Sequence, residues 1–542
     1  MKPKYLISTL LILLITLTNC DQFLEDTELQ NVETEESGIY SEEHADELIV
    51  AIYAEFKDRD GLIAYGGLNQ LEMATQDLKM VREANAMNNF TFNSSSDEPS
   101  FAGLWNELYE VIGRCNSAIE IVPQTEAPEA KVSRYNSEAK VFRALAYYHL
   151  MMSYNTCPLV LETIDPGDSE GMLTGDATRE EIYSTMIADL EEAIANSNFP
   201  WEKDLSSTEK GHMGQGTART ILTYFYLSRA WENNSTSDFE KAKTYAKEII
   251  DDGGFSLEPV LCDIFYDPYN SESIFTVNGS NSALGLGTHI GQWFAPLTVP
   301  DGADSKFYGA WFKMTMTQNY YDAMEDGDAR RYFLANPNHG ENTYWAPVFM
   351  GGDKYGGPVL VIDDVTDDVF GLPTYQNGKP AGSPQIKHDK LSSEPGQGAA
   401  IIVYRLADVY LLYAEACIKT GEYDEAREYI NKVRERARNA WTAYISIDDP
   451  DMPEHIEGVP ADIPSSVTGD ELLEVLKNER RIELSAELKR VIDLRRWSLG
   501  GASDWQDEVS ISGTWSTKFK WYPKPQDEID LSQGNIIQNP GY

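Results

Sequence analysis

LADVYLLYAEACIKTGEYDEAREYINKVRERA, residues 406–437, has apolar residues at spacings of three and four on both sides of a central glycine, Gly421. This period predicts two amphipathic helices, at 406–420 and 424–437, joined by a short turn. Four residues occupy the positions at which a tetratricopeptide unit has two small packing residues, a turn glycine and an aromatic: Ala414, Ala426, Gly421 and Tyr423. Because small residues let paired helices approach closely, the segment predicts a tetratricopeptide-like helix pair.

The same helical period recurs along much of the chain before residue 252. It predicts helices at 44–56, 104–122, 136–154, 178–195, 217–231 and 238–251. The last two repeat the shape of 406–437, with Asn233-Asn234 in place of the turn glycine. Asn136 or Ser137 would cap the third helix and Thr178 the fourth, because a side-chain oxygen accepts from free N–H groups of the first turn. Together these segments predict three or four helix pairs stacked as a scaffold.

The composition changes between residues 253 and 400, where glycine, proline, asparagine, aspartate and aromatic residues are crowded together. Short β-prone runs interrupt this region, SIFTV at 273–277 and VLVI at 359–362. A structureless loop of this length is uncommon within a compact domain. The predicted fold is therefore mainly α: a tetratricopeptide-like helix-pair scaffold at 44–252 and 401–542, carrying a loop-rich, ligand-binding subdomain with short strands at 253–400.

The N-terminus has the parts of a secretory leader: a positive start at Lys2 and Lys4, an apolar run, and a cysteine directly after it. The run is shorter than the roughly 20 residues that span a bilayer. This arrangement resembles a bacterial lipobox, which implies that the signal peptide 1–19 is removed and that Cys20 carries the lipid. An ordinary leader with an incidental cysteine is the alternative. The segment 20–43 would then hold the lipidated cysteine and an acidic tether.

The overall charge and the missing motifs exclude some classes of function. A net charge of −44 argues against nucleic acid as a partner and favours neutral or cationic ligands over sulfated or uronic ones. Motifs for serine hydrolases, P-loop nucleotide binding, zinc proteases and EF-hand calcium loops do not occur. We therefore expect no enzyme activity, no cofactor and no metal site. A glycosidase carboxylate pair stays open, since such pairs are spatial and the chain has 88 acidic residues.

Helical patterns also predict buried positions. Five residues fall within such patterns and are expected in the core: Cys115, Cys417, Trp105, Trp231 and Trp497. A disulfide between Cys157 and Cys262 stays open, because an exported protein meets oxidising conditions.

The segment 472–497, LLEVLKNERRIELSAELKRVIDLRRW, is predicted as one helix with opposite charges at spacings of three and four. Such charges favour a salt-bridged helix face; a ligand-binding role is the alternative.

Several sequence blocks resemble the SusD/RagB family of nutrient-uptake lipoproteins. They are ERRIEL at 479–484 with DLRRW at 493–497, YRLADVYLLYAEA at 404–416, EAK with RA at 138–144 and PLV at 158–160, YPKPQDEI at 522–529, and QNPGY at 538–542. Glu487-Leu488-Lys489-Arg490 stands where the family usually has Glu-Gly-His-Arg, and Asn155-Thr156-Cys157 replaces the common Gly-Asp-x. The blocks and the lipobox follow the family's order along essentially the whole mature chain.

The resemblance implies a lipid-anchored, surface-exposed protein of the outer membrane. It would be the glycan-binding lid of a SusC-like TonB-dependent transporter, with a helical half that faces the barrel and a loop-rich half that carries ligand. The usual ligand is an oligosaccharide, and in the RagB branch it is a peptide. A surface-anchored glycoside hydrolase and a purely structural helical-repeat scaffold are the alternatives.

Ligand residues have to be predicted from chemistry, because the matched blocks belong to the scaffold. Sugar rings stack their C–H faces on aromatic side chains, and polar side chains bind their hydroxyl groups. The loop-rich region supplies both kinds of group: Asn281, Gln292, Trp293, Phe294, Trp311, Gln318, Tyr320, Tyr344 and Trp345. The loop at 77–89 adds Asp77, Arg82, Asn85 and Asn88. For each aromatic residue, core packing is the competing interpretation.

Overall fold

The computed structural model describes part of the chain. The described residues are 40–57, 72–75, 77–80, 86–97, 99–164, 173–259, 264, 269–277, 314–316, 320, 323–332, 401–444, 456–485, 487–501, 505 and 515–542. Most of them belong to helices, and a few short strands lie between the helices. Cys20 and the predicted strand at 359–362 fall outside the described residues.

The helices of the described part follow the predicted segments closely, with exceptions given below. In chain order they are α1 Glu42–Lys57, α2 Ala86–Asn89, α3 Pro99–Ile121, α4 Glu129–Tyr154, α5 Arg179–Ala195, α6 Gln215–Asn233, α7 Thr236–Asp252, α8 Leu406–Thr420, α9 Tyr423–Tyr444, α10 Gly469–Glu483, α11 Arg490–Trp497 and α12 Gln526–Leu531. Short 3-10 turns at Glu72–Thr75 and Ala329–Tyr332 matter for the candidate site.

The helices stack mainly as neighbours in sequence. α1 packs on α3, α3 on α4, α4 on α5, α5 on α6, and α6 on α7. The stack continues from α7 directly to α8, although the whole loop-rich region separates these two helices in the chain. α8 then packs on α9 and α10. The helices from both ends of the chain therefore form one continuous scaffold, which confirms the predicted fold of stacked helix pairs.

The turns within the helix pairs show why their residues suit them. Gly421 ends α8 with φ at 88°, in the left-handed region that a residue without Cβ adopts at little cost. Asn234, at the matching place between α6 and α7, has φ at 49°. Asparagine enters this region more readily than most residues with a Cβ. Ala414 and Ala426 are fully buried in the α8–α9 pair, as the tetratricopeptide pattern predicts.

The strands of the described part form two-stranded antiparallel sheets. β1 Leu78–Met80 pairs with β5 Met314–Met316, β2 Cys157–Pro158 with β3 Asp176–Ala177, and β4 Ser273–Val277 with β6 Ile401–Arg405. β4 is the SIFTV run, so this prediction is confirmed, whereas β6 has no counterpart among the predicted elements. All five residues of β6 are buried. The β4–β6 pair brings together two segments at opposite ends of the loop-rich region.

The predicted single helix at 472–497 is wrong, because the chain breaks into two helices there. α10 ends at Glu483 and α11 begins at Arg490. Between them Leu488 has φ at 64°, which a continuous right-handed helix excludes. Leu484 and Leu488 are both buried. Their spacing of four is also the spacing of a continuous helix, so the apolar period hides the break.

The predicted helix starts are confirmed at one position and wrong at another. Thr178 caps α5: its side chain accepts from the backbone N–H of Glu181, whose side chain accepts in turn from the N–H of Thr178. α4, in contrast, begins at Glu129, so Asn136 and Ser137 lie inside the helix and do not cap it. The first turns of α4 are exposed or only partly buried, and apolar spacing therefore does not mark them clearly.

The core contains the side chains that helical patterns place there. Cys115, Cys417, Trp105, Trp231 and Trp497 are all buried, which confirms these predictions. Cys157 is also buried and forms no disulfide with any described residue. Cys262 falls outside the described residues.

Candidate functional site

Most predicted ligand residues fall outside the described part of the chain. These are Arg82, Asn85, Asn281, Gln292, Trp293, Phe294, Trp311, Gln318, Tyr344 and Trp345. Asp77 and Tyr320 are described, and Asn88 is placed only as part of α2. Asp77 and Tyr320 belong to a group of short segments that flank the predicted ligand residues in sequence. We call these the base segments: residues 72–75 with 77–80, 314–316, 320 and 323–332.

Asp77 lies in the N-terminal base segment and faces the C-terminal helices, with 3% of its surface exposed. Its Oδ1 accepts a hydrogen bond from Arg481 Nε at 2.9 Å. Arg490 Nε lies 3.4 Å from its Oδ2. The N–H of Asp77 donates to Thr75 Oγ1 at 3.2 Å, in the turn that precedes β1. Asp77 therefore links this base segment to α10 and α11.

Tyr320 is equally buried, with 2% of its surface exposed. Its hydroxyl donates to the carbonyl oxygen of Ile482 at 3.1 Å. The guanidinium carbon of Arg481 lies 5.9 Å from the centre of the Tyr320 ring. Burial raises the pKa of the Tyr320 phenol, so the hydroxyl stays protonated and can keep donating.

The structure thus gives Asp77 and Tyr320 protein partners on α10. For Tyr320, the competing interpretation of core packing accounts for its burial. Direct contact of either side chain with a ligand stays a prediction of the sequence. Both side chains connect base segments to the same helix, which is a structural contribution that the sequence did not predict.

Arg330 links a third base segment to α10. It lies in the 3-10 turn Ala329–Tyr332, and its Nε and Nη2 donate to Asp328 at 3.0 and 2.8 Å. Its Nη1 donates to Glu479 at 2.5 Å and to Glu483 at 3.1 Å. Burial alone would lower the pKa of Arg330, but these carboxylates raise it well above its ordinary value. The guanidinium therefore stays charged although it is buried.

The β4–β6 sheet is linked to α10 in the same way, through Arg405 at the end of β6. Arg405 Nη1 donates to Glu272 at 2.7 Å and to Glu483 at 2.8 Å, and its Nε donates to Glu487 at 2.6 Å. Arg436, on α9, donates to Glu272 at 3.0 Å. All five of these side chains are buried. Each charge is compensated by opposite charges from other elements.

A second buried ionic cluster is centred on Arg480. Its Nε donates to Asp493 at 2.8 Å and its Nη1 to Asp408 at 2.9 Å. Tyr224, on α6, donates its hydroxyl to Asp408 at 2.7 Å, and Arg496 donates to Asp493 at 2.7 Å. Burial alone would raise the pKa of Asp493, but Arg480 and Arg496 hold it below its ordinary value. This cluster connects α6, α8, α10 and α11.

Comparison with known families explains the origin of these charged blocks. A family model described as the SusD family matches residues 385–542. A second model, described as starch-binding associating with outer membrane, matches residues 22–227. Both helical parts of the scaffold are therefore matched. The chain belongs to the SusD/RagB family.

Individual SusD-like proteins match over most of the chain. SusD-like protein P2 from Formosa agariphila is 26% identical over 470 residues, which cover 84% of this chain and 83% of that protein. The structure of surface glycan-binding protein A from Bacteroides uniformis matches with a TM-score of 0.66 and 24% sequence identity. The match covers 93% of this chain and 100% of that protein. Its counterpart from Bacteroides thetaiotaomicron, in complex with laminarihexaose, has a TM-score of 0.63 and 21% identity over the same shares. The two structures share the fold of this chain.

In this SusD/RagB chain, the charges of ERRIEL and DLRRW lie inside the protein. Glu479, Arg480, Glu483, Asp493 and Arg496 are all buried. The predicted salt bridges exist, and Arg496 with Asp493 is a pair at spacing three. Most of these charges, however, pair with residues of other elements and not along one helix face as predicted. The family blocks therefore connect the scaffold to the base segments.

Sequence reasoning missed Glu272, Arg330 and Arg405 as members of this network. A signal existed for Arg405, which ends the otherwise largely apolar run IIVYR. A charge adjoining a buried strand has to be paired, because an unpaired buried charge is too costly. Glu272 and Arg330 lie in turns, where no periodic pattern indicates burial.

Proposed function

We propose that this protein is a cell-surface glycan-binding lipoprotein that captures oligosaccharides and delivers them to a SusC-like TonB-dependent transporter of the outer membrane. The observation that carries the proposal is membership in the SusD/RagB family. Its support from individual proteins is the likeness to surface glycan-binding proteins, one of them solved with laminarihexaose. The proposed activity is binding without bond cleavage.

The proposed ligand face is the loop-rich region 253–400 together with the loop 77–89. The residues proposed to stack on sugar rings are Trp293, Phe294, Trp311, Tyr344 and Trp345. Those proposed to bind hydroxyl groups are Asn281, Gln292, Arg82 and Asn85. This assignment rests on residue chemistry, since apolar sugar faces suit aromatic rings and amides suit hydroxyl groups.

The described structure supports this arrangement through the base segments. Three of them contact α10 through buried groups: Asp77 through Arg481, Tyr320 through Ile482, and Arg330 through Glu479. Binding loops usually extend from a rigid scaffold. A rigid base also lowers the entropy that the loops lose when ligand binds. Asp77 and Tyr320 would therefore hold in place the segments from which the ligand-binding loops extend.

The proposed location is the outer membrane surface, with lipid on Cys20 as the anchor. The matching family model is described as associating with the outer membrane. Among the helices of the described part, none is both long and apolar enough to cross a membrane. More than one acyl chain is needed for stable anchoring, and a lipobox cysteine would carry two on its thiol-linked group.

Two single substitutions test the ligand face. Calorimetric titration of the mature chain with an oligosaccharide panel that includes laminarihexaose gives the parent affinity. Trp293→Ala and Trp311→Ala should each weaken binding about five- to tenfold, because an aromatic stacking contact contributes about 1 kcal/mol. Thermal unfolding of each variant shows whether the fold is intact.

Tyr423→Ala is the matched control, because Tyr423 is the aromatic residue at the start of α9 and belongs to no base segment. It should leave affinity unchanged. Parent affinity in both tryptophan variants would overturn the residue assignment. Shortened oligosaccharides after incubation would indicate a hydrolase, and binding of peptides but of no oligosaccharide would indicate a RagB-like function.

The partner is tested separately, by purifying the lipidated protein from detergent-solubilised outer membranes. We expect a SusC-like transporter to co-purify with it. Purification of the lipoprotein without any transporter, from cells grown on its glycan, would contradict the delivery step.

A further inference from the structure

A small pocket lies on the helical scaffold, outside the base segments. It has a volume of about 210 Å³ and lies between the loop before α6, the turn after α7, and β4. Its lining includes Lys203, Lys210, His212, Phe255, Tyr269 and Ser273. Pockets for drug-sized ligands measure roughly 300–1,000 Å³. This pocket is therefore of a size for one small group and not for a chain.

Two lysines give the pocket a positive charge in a chain whose net charge is −44. Within the part of the chain that the structure describes, neither lysine pairs with a carboxylate. Lys203 Nζ donates to the carbonyl oxygen of Asp252 at 2.5 Å. Lys210 Nζ lies 5.6 Å from the centre of the Tyr269 ring. Both ammonium groups keep protons that can bind a further acceptor.

Among the described residues that line the pocket, Glu202 is the one acid, and its carboxylate is already hydrogen-bonded. It accepts from the backbone N–H groups of Gly214 at 3.0 Å, Gly216 at 2.9 Å and Thr217 at 2.8 Å. These groups form the start of α6, whose partial positive charge compensates the carboxylate. A Cβ at Gly216 would lie 2.7 Å from Glu202 Oε2, so only glycine permits this contact. No acid of the described lining is therefore free to pair with the two lysines.

The backbone around the pocket places both lysines. Gly254 has φ at 76°, and a Cβ there would lie 2.8 Å from Lys203 Cδ. Because Gly254 has no Cβ, the side chain of Lys203 can lie across the turn that follows α7. On the other side, the Tyr269 hydroxyl donates to the carbonyl oxygen of Lys210 at 3.2 Å. Both lysines are exposed at the pocket, Lys203 through its side chain across this turn and Lys210 through its backbone beside Tyr269.

Two further polar side chains line the pocket, those of Ser273 and His212. Ser273 Oγ is buried and, in the described residues, has no hydrogen-bond partner. His212 shares a hydrogen bond with Glu138 through Nδ1, at 2.8 Å, which leaves Nε2 as its second polar atom. A buried hydroxyl without a partner is costly, so a ligand group that bonds to it gains that energy. The rings of Phe255 and Tyr269 add apolar surface to the lining.

We propose that this pocket binds a single hexuronate residue, either free or at the end of an oligosaccharide. Its carboxylate would bind the ammonium groups of Lys203 and Lys210. Its hydroxyl groups would bind Ser273 and His212, and its C–H face would contact the aromatic rings. That the ligand is a sugar rests on the proposed function; that it is an anion rests on the two lysines. The pocket reverses locally the preference for neutral ligands that the overall charge indicates.

The test is titration of the mature chain with D-glucuronate and D-galacturonate, with D-glucose and inorganic sulfate as matched probes. One of the two uronates should bind saturably and more weakly as salt is added, because exposed charges are screened. Glucose and sulfate should each bind at least about tenfold more weakly than the uronate. Glucose lacks the carboxylate that binds the lysines, and sulfate lacks the sugar hydroxyl groups and the C–H face. Reducing-end and terminal uronate oligosaccharides then show whether the ligand is free or part of a chain.

Lys203→Gln and Lys210→Gln should each lower uronate affinity about tenfold. Lys241→Gln is the control, because Lys241 is an exposed lysine of α7 that does not line the pocket. Unchanged uronate affinity in the double lysine variant would overturn the proposal, as would sulfate binding as tight as uronate binding. Neutral oligosaccharides titrated into the same variants report on the ligand face alone, so failure of the proposed function is distinguishable from failure of the pocket.

Discussion

At the scale of single residues, Arg480 binds two buried carboxylates at once, those of Asp408 and Asp493. Arg480→Met keeps a long side chain but leaves both acids without this partner. Removal of one partner from a buried ion pair costs about 3–5 kcal/mol. We expect the free energy of unfolding to fall by about that amount, measured by urea denaturation followed by circular dichroism.

An exposed ion pair of α9 provides the control. Glu428 and Lys432 lie 2.7 Å apart, with side chains 57% and 37% exposed. Exposed pairs contribute about 0–1 kcal/mol, so Glu428→Gln should change the free energy of unfolding by less than about 1 kcal/mol. Equal effects of Arg480→Met and Glu428→Gln would contradict a stabilising role of the buried cluster.

His149 predicts a pH dependence of stability. Burial lowers the pKa of this imidazole to about 3, and the nearby charge of Lys489 acts in the same direction. In the unfolded chain the group titrates near 6.5, so below that pH the unfolded state binds the proton and gains stability. The free energy of unfolding should therefore fall by about 2 kcal/mol between pH 7 and pH 5 through this group alone.

The comparison with His149→Phe isolates this effect, since phenylalanine does not titrate. Urea denaturation at pH 7 and pH 5 gives the change for each protein. The variant should lose about 2 kcal/mol less than the parent over this interval. The same loss in both proteins would show that His149 is not the group responsible.

At the scale of secondary-structure elements, one substitution should have opposite effects at two glycines. Gly421 ends α8 with φ at 88°, so Gly421→Ala places a Cβ in the left-handed region and should cost about 1 kcal/mol. Gly103 lies inside α3, and a Cβ there meets no atom within 4 Å. Gly103→Ala should stabilise by about 0.5–1 kcal/mol, because alanine favours helix. Thermal unfolding measures both, and a shared sign would contradict the assigned turn geometry.

The sequence predicts those helices and turns that depend on residues close together in the chain. The helix pairs follow from apolar spacing, since each helix buries one face on a neighbour, and Gly421 and Thr178 mark their own boundaries. β6 and the break at Leu488 depend on contacts with distant parts of the chain, as Arg405 with Glu272 and Glu487 shows. No local pattern reveals such contacts.

Only the residue composition of the candidate site could be predicted from the sequence, and not its geometry. Aromatic and amide residues in a glycine-rich region indicate sugar binding, but they do not show which side chains face the ligand. Asp77 and Tyr320 illustrate this limit, because both are buried against α10. Their partners Arg481 and Ile482 lie far along the chain, so the sequence alone could not separate supporting residues from contacting ones.

At the scale of the whole molecule, the two helical parts should unfold together. α7 packs directly on α8, and Tyr224 of α6 contacts Asp408 and, through it, the Arg480 cluster. Scanning calorimetry should therefore show one scaffold transition whose calorimetric and van't Hoff enthalpies agree. Two separate transitions, for 44–252 and for 401–542, would contradict a continuous scaffold.

We propose for the whole molecule that this SusD/RagB protein binds oligosaccharide without cleaving it. The most direct measurement is calorimetric titration of the mature chain with a panel of neutral oligosaccharides, followed by chromatography of the recovered ligand. We expect saturable binding of at least one oligosaccharide, which is recovered at its original length. A folded protein that binds none of the panel, or that returns shortened products, would contradict this function.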